Sequence, residues 1–227
     1  MKIKVNVLGS IRYSFTAQFI EGAALFAKKA HEIEDSLVST LTEEAKTLHR
    51  SFVVSAIIQC SASLEAEISE IVEYGPGHHL GSNGIDEYAR EFLRPLFNAI
   101  DSQSPLEKYK LVLHVLKRPA LDSDGQIIEN ADLLVRLRNE LIHYKSQWEV
   151  DQQKLFKRLK SLNFQKPGFV LSYSTFFPHE CLSASLASWS VITASTFLDH
   201  FYEKLGFESR LEAYSERISV PPPKYKK

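Results

Sequence analysis

The stretch SFVVSAIIQCSASLEAEI, residues 51–68, decides the fold. It is apolar or small on nearly every side, with no two-residue alternation, so it reads as a helix at the centre of a bundle. Thr42, Glu43 and Glu44 can start that helix, because acids suit an N-terminal turn, and it can run to about Tyr74. Before it, Phe19, Ile20, Ala23, Ala27, Ala30, Ile33 and Leu37 recur at three- and four-residue steps, predicting a helix over 16–38. After it, EYGPGHHLGSNG (73–84) holds four glycines and a proline and reads as a loop.

Helices are expected next at about 86–100 and 105–117. Ser104-Pro105-x-Glu107 combines a cap, a first-turn proline and an acid, and Pro119 follows the second helix. Asn130 can cap a helix starting at Ala131, with Leu134, Leu137, Leu141, Tyr144 and Trp148 as its apolar stripe. Asp151 can cap a short helix to about Leu162. Residues 163–178 read as an irregular segment or short strand. A long last helix is expected from about His179 to Leu205, stopped by Gly206, with a short helix over 208–217.

Residues 2–15 alternate around Gly9-Ser10 and predict a short N-terminal β-hairpin. The expected organisation is a hairpin over 1–15, one helical domain over 16–217, and a disordered, proline-rich tail over 218–227 that ends in PPPKYKK. The fold class is therefore all-α, a helical bundle with a hairpin attached.

The 227 residues suffice for one sizeable core without disulfides or metals. Cys60 and Cys181 lack metal-ligand spacing and are expected as buried free thiols in a reducing compartment. The N-terminus lacks the apolar run of a signal peptide. No stretch approaches the ~20 apolar residues of a membrane span, so a cytoplasmic protein without membrane partners is expected. Net charge is −1, so any nucleic-acid contact must come from a local patch or a groove between subunits.

The one constellation with chemical promise is VRLRNELIHYKSQW, residues 135–148. Asn139 and His143, four apart, share a helix face. Arg138 lies about 140° from His143 at ~100° per residue, so it must bend round or line the other side of a groove. A neutral histidine can take a proton from a ribose 2′-hydroxyl, an arginine fork can hold the phosphate, and an asparagine can orient either. This chemistry needs no metal. It does need an acid for the leaving oxygen, which a two-fold dimer would supply as a second histidine. The bland alternative is a solvated face on which Arg136 pairs with Glu140 and His143 is a satisfied histidine.

LRNELIHYK resembles the signature of the HEPN superfamily: an arginine, a polar residue, and a histidine four to six positions beyond the arginine. SAIIQCSASLEAEISEIV (55–72) is similar to that superfamily's early core helix, and the last helix, with Trp189 and Phe197-Leu198, to closing helices of bacterial members. The resemblance covers roughly residues 45–205. It implies a dimeric helical bundle and, in many members, a metal-independent ribonuclease acting as a toxin or phage-defence effector, with an antitoxin or regulatory protein as a further partner. Only Arg138, Asn139 and His143 carry over as site residues. Some toxin members bear a modifiable tyrosine two residues after the histidine; here Tyr144 follows at once and Lys145 takes the later place. Other members are non-catalytic modules that bind a nucleotide, RNA or protein.

No cofactor-binding or metal-ligating set is expected. His78-His79 lack a third ligand and read as loop residues. His114 reads as a packed core histidine. Glu65 could hold the Arg138 guanidinium, with a plain ion pair as the simpler expectation.

Overall fold

The computed structural model describes residues 14–36, 41–74, 87–100, 102–121, 125–143, 154–171 and 173–226. Eight α-helices are named in chain order: α1 Phe15–Glu34, α2 Glu43–Tyr74, α3 Glu87–Ala99, α4 Pro105–Val115, α5 Gly125–Ile142, α6 Lys154–Ser161, α7 Ala184–Leu205 and α8 Ser215–Ile218. No strand occurs among the described residues; one isolated bridge joins Phe164 to Tyr225. The bundle is all-helical as the periodicities predict. The hairpin expectation falls outside the described residues, except that Phe15 opens α1.

The long central helix pairs with α1, and the two carry α7 across them. The α1–α2 seam is closed by Ala23, Ala27 and Ala30 against Val53, Ala56 and Cys60, all fully buried, and by the stacked rings of Phe26 and Phe52. Small side chains let the helix axes approach closely, and burial at roughly 25 cal/mol per Å² is the stabilising term. The α1 N-terminus is capped from α2: Glu70 Oε1 accepts from the Phe15 and Thr16 N–H groups at 2.9 and 3.4 Å, a carboxylate placed where unpaired amides and the helix dipole favour it.

On the far side of α2, α5 packs against α2 and α7 through Ala131, Leu134, Val135 and Leu137. Helix α4 starts as its sequence predicts, with Ser104 Oγ accepting from the Leu106 N–H. Gly206 ends α7 at φ +81°, a left-handed conformation that glycine adopts without a Cβ penalty. Cys60 and Cys181 are buried and free, and burial pushes both thiols well up from their ordinary value.

Several expectations need correction. Helix α5 begins at Gly125, not Ala131, because Ile127 and Ile128 also pack against the core and extend it. Asn130 is therefore an interior residue, accepting from Gln126 Nε2 at 2.8 Å. Helix α7 starts at Ala184 rather than His179: Phe177 leaves helical dihedrals, and Ser183 provides the cap by accepting from Leu186 N–H. The 208–217 helix is a single tight turn, Glu212–Tyr214, followed by α8. His114 is exposed at the end of α4, not packed in the core.

The tail differs most from expectation. The segment is tied down at Lys224, Tyr225 and Lys226. Lys224 N–H donates to Ser185 Oγ at 2.8 Å, Gln165 N–H to Lys224 O and Lys226 N–H to Asn163 O, and the Tyr225 ring packs on Phe164. The Lys224 ammonium also pairs with Asp35. Tyr144, Trp148, Asp151, His78 and His79 lie outside the described residues.

Among the described residues one helix, over Glu43–Val72, is long and apolar enough by length and composition to cross a membrane, and half of its apolar 18-residue window is buried inside the bundle.

Candidate functional site

Arg138 leaves α5 at the edge of its core face, one residue past buried Leu137 and one before exposed Asn139. That position carries the guanidinium sideways onto α2, where its Nη2 donates to Glu65 Oε1. Nη1 donates to Asn139 Oδ1 at 2.9 Å. The side chain is 19% exposed, against 46% for Glu65. Burial lowers the Arg138 pKa from its ordinary value, yet a guanidinium remains cationic in proteins.

His143 follows the last residue of α5, with its N–H bonded to Asn139 O at 2.9 Å. Its side chain is exposed and, among the described residues, has no hydrogen-bond partner. Arg138 and Asn139 are therefore brought together by a direct bond, and Asn139 and His143 by one helical turn. No hydrogen bond joins Arg138 to His143: the guanidinium turns to Glu65 on α2 instead of bending round to the His143 face.

Arg136 shares the outer face with Asn139 and His143 but pairs with Asp132 at 2.8 Å, not with Glu140. It opens on a cleft of about 430 Å³ between α4 and α5, also lined by Lys110, Glu107 and Glu129. Arg138, Asn139 and His143 do not line that cleft. Among the described residues no group of three or more His, Cys, Asp or Glu could hold a metal ion.

A second polar assembly is built on Glu67 and Glu70 of α2, whose partners are remote in sequence. Glu67, 1% exposed, receives the Tyr202 hydroxyl and Arg210 Nη1, the latter at 3.1 Å. Arg210 also reaches Glu70 at 3.4 Å and Ser14 Oγ at 3.1 Å. Burial raises the Glu67 pKa above its ordinary value, with Arg210 and Tyr202 pulling the other way. The available signal was the spacing in L-E-A-E-I: glutamates two apart lie about 200° apart around a helix, so they cannot both face solvent on a buried helix. A further buried pair, His49 and Glu34, meets at 2.7 Å, and the same Glu34 oxygen accepts from Ala184 N–H at 2.7 Å.

Comparison of the chain with protein-family models, curated proteins and solved structures returned no match.

Proposed function

We propose that this chain is a metal-independent endoribonuclease of the HEPN type, working as a homodimer in the cytoplasm as a toxin or phage-defence effector. His143 is the general base or acid, Arg138 holds the scissile phosphate, and Asn139 orients the reacting groups. The observation that carries this reading is the direct Arg138–Asn139 bond, one turn before an exposed His143 that has no hydrogen-bond partner among the described residues. An imidazole open to water is within reach of a substrate and can exchange protons with it. A second subunit would bring the second histidine that a concerted acid–base cleavage uses. The half-buried apolar window of α2 favours a core helix, in keeping with a protein away from membranes; an antitoxin or other regulatory protein is a further partner in this reading.

The test is cleavage of tRNA and mRNA by purified protein in the presence of a chelator. The parent should leave 2′,3′-cyclic phosphate ends. His143→Ala should lose at least about 100-fold in rate while keeping its helical circular dichroism. Equal cleavage by the two proteins would overturn the assignment.

One observation favours a second reading. Glu65 already occupies the Arg138 guanidinium, as it would in a non-catalytic HEPN-like module that binds a nucleotide, RNA or a protein partner. RNA binding by the parent without cleavage would select that reading.

A further inference from the structure

We infer that Glu65 is an internal competitor for the anion that Arg138 binds: its carboxylate holds the guanidinium in place at rest and is displaced when a phosphate arrives. This rests on the reading of Arg138 as the phosphate-binding group.

Glu65 lies 73 residues before Arg138 and reaches it from α2, so the contact depends on the packing of α2 against α5. A carboxylate and a phosphate oxygen seek the same guanidinium N–H groups. Among the described residues, two of the five donors of Arg138 are engaged, one by Glu65 and one by Asn139. Asn139 would therefore keep the guanidinium aimed while its carboxylate partner is exchanged.

Exposure decides whether the exchange can happen. A fully buried carboxylate cannot leave its cation without a large desolvation penalty. Glu65 is nearly half exposed, 46% against 19% for Arg138, so it can turn into water at little cost. If Glu65 stayed beside a bound phosphate, two like charges would share one cation, which favours its departure. The resting pair also leaves no uncompensated charge at Arg138, in a chain whose net charge is −1. Glu65 is thus a positioning residue that acts through Arg138, and it raises the phosphate concentration the site requires.

The experiment follows the Arg138 side-chain Nε–H resonance in the full-length protein titrated with inorganic phosphate. Glu65→Gln should half-saturate at a phosphate concentration about tenfold lower than the parent, the scale of one charge-assisted hydrogen bond. Binding of an oligouridylate by the same variant in a His143→Ala background should gain about one unit of log–log salt slope, because one more cation is free to release counterions. The double variant Glu65→Gln/Arg138→Gln should show neither gain. Equal phosphate midpoints in parent and Glu65→Gln would overturn the inference, as would a gain that survives loss of Arg138. Loss of helical circular dichroism in both Glu65→Gln and Glu65→Ala would also overturn it, by making the pair structural. Cleavage measured on the same samples separates this from the nuclease proposal. A phosphate gain without any RNA cleavage sinks only the enzyme, whereas His143-dependent cleavage with unchanged phosphate midpoints sinks only the competitor.

Discussion

Glu65 and Glu67 stand two residues apart on the same helix, each is paired with one arginine, and the two pairs are physically unlike. Glu67 is 1% exposed and shares Arg210 with Glu70, while Tyr202 donates to it from α7. The side chain of Glu65 is 46% exposed and meets Arg138 at the edge of α5. Removing one partner from a buried pair strands a charge where water cannot reach it. Removing one partner from the rim pair leaves a charge that water can solvate. Stability should therefore depend on the first pair, and anion exchange is open only to the second.

The sharpest way to break this comparison is to delete each arginine in turn. Arg210→Ala should cost about 3–5 kcal/mol of stability near neutral pH, read as the urea midpoint. A loss below about 1 kcal/mol would place the two pairs in one class.

The next effect is its pH dependence. Burial raises the folded-state pKa of Glu67 above its ordinary value of 4.5, so in the acid range above 4.5 the folded protein binds more protons than the unfolded chain. Stability from this group must then rise as pH falls through the folded pKa, and level off near 4.5. Arg210→Ala removes a cation that opposes this shift, so its deficit should shrink on acidification from pH 7. A deficit that does not shrink between pH 7 and pH 5 would mean that Glu67 stays ionised without its partner. His31 contributes with the opposite sign. Burial lowers its pKa below 6.5, so its contribution is complete above pH 6.5 and is lost as pH falls below it. His31→Gln in the Arg210→Ala background isolates the Glu67 contribution.

The smallest stability effect is expected at the rim. Arg138→Gln should change stability by less than about 1 kcal/mol, while abolishing RNA cleavage if Arg138 holds the phosphate. A large loss of stability would show that α5 depends on this ion pair for its packing.

Local pattern made much of the bundle legible. The three- and four-residue steps of α1, the all-round apolar character of α2, the Ser104-Pro105 start and the Gly206 stop are each set by neighbours within one or two turns. For the same reason spacing alone assigns Asn139 and His143 to one face, and Arg138 to another. Boundaries failed where distant packing outweighed a local signal. Asn130 is a good cap by chemistry, yet burial of Ile127 and Ile128 carried α5 past it. The PPPKYKK tail is polar and proline-rich, but Ser185, Phe164 and Asn163 supply its backbone and ring partners from remote positions.

The amino-acid sequence by itself determined that the chain is helical, where most helices lie, and which polar residues share a helical face, because 3.6-residue periodicity is a property of adjacent residues. Only the tertiary structure decided which glutamate meets which arginine, across 73 residues for Arg138 and 143 for Arg210. Those pairings depend on the angle and register at which whole helices pack, and that is set by the summed burial of many apolar side chains rather than by any one segment.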